Sequence, residues 1–196
     1  MRSSGGGPAW LLAEPAVREV AAGLLAARGV REVLDLGCGR GRHALLLARA
    51  GFAVSALDRD HAALASLRAR ARAEGLDAAA AGGCATALPY ADAGFDYVLA
   101  FNLLPHGTAA TARATLEEIH RVLRPGGLVH ATLLSKRDAG WAPGAAAPPL
   151  HADAAEVVAM LGGFEPLRLE DQAHARPGTR YWHVLAERRH PDARGH

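Results

Sequence analysis

The sequence is poor in the residues that build stapled, metal-bound or membrane-embedded proteins. Its two cysteines, Cys38 and Cys84, lie far apart and outside any metal-ligand spacing, so we expect neither a disulfide nor a metal site. No apolar run has the length that a bilayer span requires, and residues 1–8 lack the apolar segment of a signal peptide. We therefore expect a reduced, cytoplasmic protein without membrane contact.

An excess of one charge sign is also missing. The 22 basic and 20 acidic residues are interspersed and leave a formal charge of +2. The densest basic stretch is Arg68, Arg70 and Arg72, which falls in a predicted helix where only the two residues four apart share a face. We interpret it as a solvated helix surface and expect no nucleic acid partner.

Short apolar segments alternate with amphipathic ones, with Gly or Pro at the joints. This alternation predicts an α/β fold, Rossmann-like and doubly wound, with a mostly parallel seven-stranded sheet and an antiparallel last strand in a single domain. We expect a flexible segment over 1–13, the domain over 14–187 and a frayed tail over 188–196. The predicted strands are 32–36, 52–57, 78–82, 96–101, 128–134, 164–169 and 181–187, and the predicted helices include 14–28, one ending near Gly51, 60–75, one through Leu123 and 153–161.

The sharpest local feature is a glycine-rich turn that follows the first predicted strand. The segment Val33–Gly41 reads VLDLGCGRG, and glycines in such a turn let the backbone approach a ligand closely. Dinucleotide-binding proteins use G-x-G-x-x-G at this place, but here Gly41 comes one position early and Arg42 stands where that motif has Gly. Asp35, just before the turn, would repel a pyrophosphate and attract an ammonium or a sulfonium group.

A second carboxylate, Asp58, closes the second predicted strand. At this position a carboxylate can accept hydrogen bonds from both hydroxyls of a ribose. An NAD-dependent enzyme would carry the same acid, so Asp58 indicates a nucleoside cofactor without choosing its kind.

These residues resemble the class I S-adenosylmethionine-dependent methyltransferases, and the likeness continues along the chain. The segment 83–89 followed by Phe95–Leu99 is similar to the adenine-side loop and fourth strand of that family. The segment 121–127, RVLRPGG, resembles its helix and turn before the fifth strand. The triplets at 41–43, 135–137 and 181–183 resemble the branch around the tellurite-resistance methyltransferases.

The resemblance implies S-adenosylmethionine as cofactor and a set of residues that bind it. One departure is Cys84, because many relatives carry an acid there that hydrogen-bonds the adenine amino group; cofactor affinity could be lower as a result. The implied cofactor-binding residues are Asp35, Gly37, Cys38, Gly39, Gly41, Asp58, Arg59, Cys84, Ala85, Asn102 and Leu103.

The acceptor side of the site is expected where the fourth and fifth strands end. His106 follows the fourth strand and is either a general base or an ordinary loop histidine. Residues 135–149 are rich in Gly, Ala and Pro and are predicted to form a mobile cover that excludes water. Trp141 and His151 are the candidate substrate residues, and for Trp141 simple packing is the alternative.

The predicted reaction is a direct in-line transfer of methyl to a small-molecule acceptor. Such a transfer needs mainly orientation, so no conspicuous catalytic residue is required. Two alternatives remain at this stage: a protein of the same fold that binds the cofactor without transferase activity, and an NAD-dependent oxidoreductase. The sequence leaves the acceptor and the oligomeric state open.

Overall fold

The computed structural model describes residues 14–144, 149–174 and 176–190. The chain divides after Gly82 into two compact units, and each is described by itself. The predicted flexible segment over 1–13 lies outside the described residues, as does 191–196, so the division into segment, domain and tail stays a prediction. Within the described ranges, no helix has the length and apolar character needed to cross a membrane.

The first unit contains three parallel strands with helices between them. β2 lies in the middle and pairs in parallel with both β1 and β3. The alanine-rich β3 forms through its pairing with β2, although alanine is a poor strand former. The elements are α1 (Pro15–Val20, continued by a π-helical segment Ala21–Leu25), β1 (Glu32–Leu36), α2 (Arg42–Arg49), β2 (Ala53–Asp58), α3 (His61–Glu74) and β3 (Ala78–Gly82).

Helix α3 begins and ends as its sequence predicts. The side chain of Asp60 accepts hydrogen bonds from the backbone N–H groups of Ala62 and Ala63, which satisfies donors that the first helical turn leaves free. Gly75 ends the helix in the left-handed conformation, with φ of 64°. The predicted first helix over 14–28 is correct in place but wrong in form, since a π-helical segment interrupts it.

The second unit is built around the long strand β5. β4 and β5 are parallel, whereas β8 is antiparallel to both β5 and β7, which confirms the predicted α/β class with antiparallel strands at its end. The elements are β4 (Phe95–Ala100), a 3₁₀ turn (Leu104–His106), α4 (Ala109–Val122), β5 (Leu123–Ser135), β6 (His151–Ala152), α5 (Ala154–Met160), β7 (Phe164–Ala173) and β8 (Arg180–Arg188).

β5 begins five residues before its predicted start at Leu128. Leu123, predicted as helical, pairs with Phe95 as the first residue of the strand, and the register then shifts between Phe95 and Tyr97. A Cβ on Gly127 would lie 2.8 Å from the carbonyl oxygen of Arg124, so this irregularity requires glycine. The expected turn at 124–127 is therefore a bulge within the strand.

The two-residue strand β6 is the eighth strand and was not predicted from the sequence. It pairs in parallel with Leu134 and Ser135, at the end of β5. β8 occupies one edge of β5 from Leu128 to Leu134, so β6 shares the other edge with β4. The segment after β4 and the segment around β6 consequently lie at the same place along β5.

We predict that Gly41 is required for packing in the first unit. Its φ is +80°, and an added Cβ would run into Cδ1 of the fully buried Leu67. Gly41→Ala should lower the free energy of unfolding by about 2 to 4 kcal/mol, combining left-handed strain and overpacking. Gly39 also has a positive φ but nothing within 4 Å of a built Cβ, so Gly39→Ala should cost only about 1 to 2 kcal/mol. Equal losses in urea unfolding of the two variants would contradict this explanation.

Candidate cofactor and acceptor sites

The glycine-rich turn is joined to the end of β2 by backbone hydrogen bonds. The N–H groups of Gly37 and Cys38 both donate to the carbonyl oxygen of Leu57, at 2.8 and 3.2 Å. Gly37, Gly39 and Gly41 all have positive φ values, a conformation that only glycine adopts without cost. The shape of the turn therefore depends on its glycines and on its hydrogen bonds to β2.

Asp58 holds the turn through its side chain. Its Oδ2 accepts the Gly39 N–H at 2.7 Å, and its Oδ1 accepts the Asp60 N–H at 2.9 Å. Each carboxylate oxygen has two lone pairs, so one on each remains to accept a ligand hydroxyl. A Cβ built on Gly39 would meet nothing within 4 Å, so the backbone at this position is open on that side. The structure thus brings Gly39 and Asp58 together, and their role toward a ribose stays a prediction.

Asp35 is a buried carboxyl group close to the turn. It is only 2% exposed, it accepts a hydrogen bond from the Ala44 N–H, and within the described residues its Oδ2 has no hydrogen-bond partner. Burial raises the pKa of Asp35 to about 7; the Ala44 N–H and Arg42 oppose this rise, and Asp58 adds to it. Near neutral pH the group is therefore only partly charged, and a nearby cation would favour its ionised form.

The other predicted cofactor residues of the first unit differ in their surroundings. The side chain of Cys38 is buried, and burial, followed by the charges of Asp35 and Asp58, raises the pKa of its thiol. Gly41 packs against Leu67, and this packing is enough to explain why glycine stands at this position. Arg59 is exposed. Their roles toward a cofactor stay predictions.

In the second unit, Cys84 and Ala85 lie in a short turn closed by an antiparallel bridge between Cys84 and Ala87. Cys84 is exposed, and its Sγ lies 3.1 Å from Oγ1 of Thr86. Arg121 of α4 anchors the residues that follow, since its guanidinium donates to the carbonyl oxygens of Leu88 and Tyr90. The turn therefore has a rigid support, although its contact with adenine stays a prediction.

Asn102 follows β4 in a strained conformation that two other strands support. Its φ is +56°, which is uncommon for a residue other than glycine. Its backbone N–H donates to Oγ1 of the fully buried Thr132 at 2.7 Å, and its side-chain Oδ1 accepts from the hydroxyl of Tyr181 at 3.1 Å. β5 and β8 thus hold both the backbone and the side chain of Asn102.

The structure brings the segment of His106 next to that of His151. The N–H of Leu150 donates to the carbonyl oxygen of Pro105 at 2.9 Å, which joins the 3₁₀ turn to the residue before β6. His106 itself is exposed, and its role as a base stays a prediction. His151 is held differently, with Nδ1 3.1 Å from the carbonyl oxygen of Pro149 and Nε2 3.6 Å from Oδ1 of Asp138.

The predicted cover over 135–149 is anchored along its first part. Oδ2 of Asp138 accepts the Arg180 N–H at 2.8 Å, and the Ala139 N–H donates to Gly178 at 2.9 Å. Burial disfavours the charge of Asp138, yet the N–H groups of Arg180 and Gly140, together with His151, hold its pKa below the usual value. Residues 145–148, near the end of the segment, lie outside the described residues, and the mobile cover stays a prediction.

Trp141 is 40% exposed, and the ammonium group of Lys136 lies 6.0 Å from the centre of its ring. Lys136 also donates to Asp153 and Glu156, at 3.1 and 2.6 Å. The indole therefore lies outside the core and contacts Lys136 on the surface. A substrate contact at Trp141 stays a prediction.

Three supporting residues were not identified from the sequence. Thr132 lies among buried strand residues and gives no polar signal of its own, and Asp138 is one acid in a polar segment. Tyr181 begins the triplet Tyr-Trp-His that was noted for its resemblance, and this triplet is the signal that could have identified it. For the described part of the chain, no cluster of His, Cys, Asp or Glu suits a metal ion.

A separate cleft of about 360 Å³ lies between α4 and α5 and contains none of the predicted site residues. Its floor includes His120, whose ring packs edge-on against Phe164 with centroids 5.3 Å apart. Burial, the main cause, and the charge of Arg188 lower the pKa of His120. The chemistry expected from the sequence is therefore not in this cleft.

Comparison with protein families decides the nature of the segment that contains the turn. Residues 33–127 match the model of a family described as a methyltransferase domain. The chain carries a methyltransferase domain. The match includes β1, the glycine-rich turn, Asp58, the Cys84 turn and Asn102, and it confirms the resemblance to class I methyltransferases. It favours this interpretation over an NAD-dependent oxidoreductase.

The methyltransferase domain has relatives among curated proteins. One is a probable S-adenosylmethionine-dependent methyltransferase of Mycolicibacterium smegmatis, 34% identical over 142 residues, which are 69% of this chain and 52% of the relative. The chain spans about a third to a half of the length of the curated relatives that it matches. The likeness therefore concerns the domain rather than the whole of those proteins.

Solved structures share the fold over most of the chain. A Burkholderia thailandensis 1,6-didemethyltoxoflavin-N1-methyltransferase, solved with its substrate and S-adenosylhomocysteine, is 24% identical with a TM-score of 0.74 and covers 90% of this chain and 80% of its own. TehB from Haemophilus influenzae is 18% identical with a TM-score of 0.73, covering 90% and 64%. At these identities the likeness establishes the Rossmann-like methyltransferase fold alone.

We predict that Asp35 makes stability depend on pH. Its pKa is about 7 in the folded protein and near 3.8 when unfolded, so the folded state binds more protons between these values and its stability falls as pH rises through them. Asp35→Asn removes this dependence. The variant should gain stability relative to wild type from pH 4 to pH 7, by up to about 4 kcal/mol for three pKa units. Urea unfolding at pH 4, 5.5 and 7 measures the difference, and a constant difference would rule out the buried, neutral carboxyl.

Proposed function

We propose that this protein is an S-adenosylmethionine-dependent methyltransferase that acts on a small-molecule acceptor. The observation that carries the proposal is the turn in which Asp58 holds Gly39, inside a segment that matches a methyltransferase domain. In Rossmann-like folds, an acid at this place hydrogen-bonds the ribose of a nucleoside cofactor. That the whole chain has this activity is part of the proposal.

The residues of the first unit fit the chemical groups of the cofactor. Asp58 retains a lone pair on each oxygen for the ribose hydroxyls, and the Gly39 backbone leaves room for a close approach. Oδ2 of Asp35, buried and unpartnered among the described residues, suits a cationic group rather than a phosphate. When bound, the cofactor supplies a methyl group on a positively charged sulfur, which needs no further activation.

Two histidines of the second unit, His106 and His151, are assigned to the acceptor. The joined segments at Pro105 and Leu150 place His106 and His151 on the same edge of β5. We assign His106 to removing a proton from an oxygen or nitrogen acceptor, and the 135–149 segment to excluding water. The solved 1,6-didemethyltoxoflavin-N1-methyltransferase binds a small molecule, 1,6-didemethyltoxoflavin, which supports the same class of acceptor for this chain. A soft anion would need no base.

Asp58→Ala should weaken the binding of S-adenosylhomocysteine by about 1.5 to 3 kcal/mol, because hydrogen bonds to a charged acceptor are lost. Asp60→Ala is the matched control, since it removes a helix cap two residues away and should cost stability without affecting binding. Titration calorimetry with S-adenosylhomocysteine, and with NAD as the alternative cofactor, measures both effects. An unchanged dissociation constant in Asp58→Ala, or binding of NAD by the wild type, would contradict the assignment.

His106→Ala should lower turnover of an oxygen or nitrogen acceptor about 100-fold or more while affinity for S-adenosylhomocysteine holds. The exposed His190 supplies the control, and His190→Ala should turn over at the normal rate. Formation of S-adenosylhomocysteine is followed with oxygen, nitrogen and soft-anion acceptors. If His106→Ala turns over a protonated acceptor at the wild-type rate, the base is not His106.

A further inference from the structure

A strained residue at the end of a strand is the feature that leads beyond the proposed function. Asn102 has a left-handed backbone, and such conformations persist where the surroundings over-determine them, frequently at ligand sites. Its two supports, Thr132 and Tyr181, come from different strands. The support of the side chain is the more informative of the two, because a backbone turn alone would not need it.

The register of β8 on β5 explains why Tyr181 reaches Asn102. Thr132 pairs with His183, and Tyr181 stands two residues before His183 on the same strand. Directly paired residues and alternate residues share a face of a sheet, so Thr132 and Tyr181 lie on one face. The hydroxyl of Thr132, which accepts from the Asn102 backbone, and the hydroxyl of Tyr181, which donates to the Asn102 side chain, therefore lie on the same face of the sheet.

The direction of the Tyr181 hydrogen bond determines which end of the amide is available. The phenol donates to Oδ1 of Asn102, and this bond fixes the orientation of the amide, because exchanging its two ends would break it. Nδ2, with its two N–H donors, makes no hydrogen bond within the described residues, and Asn102 is exposed. The side chain is thus oriented as a donor.

We propose that Tyr181 is a positioning residue that fixes the Asn102 amide so that its N–H groups donate to an oxygen or nitrogen of the bound cofactor. The inference rests on the proposed function and on the family resemblance, which implies that Asn102 is one of the cofactor-binding residues. Tyr181 acts through Asn102 and does not itself touch the ligand. The ring of His174, packed edge-on against Tyr181 with centroids 5.5 Å apart, helps to hold the phenol in place.

The test is a double-mutant cycle read by calorimetry with S-adenosylhomocysteine. Tyr181→Phe keeps the ring and removes the hydroxyl, and it should raise the dissociation constant about three- to tenfold. Asn102→Gly removes the side chain while tolerating the positive φ, so adding Tyr181→Phe in that background should change nothing further. Trp182→Phe is the matched control. Trp182 lies on the opposite face of β8, and the substitution removes the hydrogen bond from its indole N–H to the carbonyl oxygen of Ala152. This variant should leave the dissociation constant unchanged.

A second variant tests the donor role directly. Asn102→Asp keeps an oxygen for the Tyr181 hydroxyl and replaces the donors by an acceptor, so it should weaken binding at least as much as Asn102→Gly while the thermal midpoint stays close to wild type. Equal effects of Tyr181→Phe in both backgrounds, or undiminished binding by Asn102→Asp, would overturn the inference. Failure of the wild type to bind S-adenosylhomocysteine would instead refute the proposed function.

Discussion

The arrangement of the second unit depends on how the two edges of β5 are occupied. β8 pairs along one edge over seven residues, while β4 and then β6 share the other. Because each edge of a strand has one set of backbone donors and acceptors, β6 can begin only where β4 has ended. The residues after β4 and before β6 are consequently neighbours, and the bond from Leu150 to Pro105 joins them. Asn102, His106 and His151 come from separate parts of the chain, and this pairing places them on one edge.

Two carboxyl groups of the first unit, Asp35 and Asp58, differ in burial and in hydrogen bonding. Asp58 accepts two backbone N–H groups and serves as a fixed, partly exposed acceptor. Asp35 is buried with one oxygen unpartnered among the described residues, and its pKa rises to about 7. Titratable groups whose environments differ in this way are typical of binding and catalytic sites. A cationic ligand would compensate the cost of ionising Asp35, whereas a diol would use Asp58 as it stands.

Much of the support for the site comes from residues that would not touch a ligand. Thr132 and Tyr181 hold Asn102, Arg121 holds the residues after Cys84, and Asp138 anchors the start of the 135–149 segment. For in-line methyl transfer, orientation supplies a large part of the rate. Rigid support of the loops is therefore part of the proposed chemistry.

The sequence by itself determined the element types, the glycine-rich turn and the family. Periodicity, helix caps and glycine positions are local properties, and they predicted β1, the Asp60 cap and the antiparallel last strand correctly. The alanine-rich β3 was predicted only from its position in the alternation of strands and helices. The three motif blocks resembled methyltransferases because their residues are needed at set places along the chain. These features depend on near neighbours, which a sequence displays directly.

Four features are visible only in the tertiary structure: the bulge at the start of β5, the strand β6, the packing of Gly41 on Leu67 and the hydrogen bond from Tyr181 to Asn102. Leu123 has a helical pattern, but pairing with Phe95 outweighs its local preference. His151 and Ala152 are too few to show a strand periodicity, and they form one because the edge of β5 is free beyond β4. Tyr181 and Asn102 are 79 residues apart, and no local rule joins them. These contacts join segments that are far apart in the sequence, so the neighbouring residues in the sequence do not predict them.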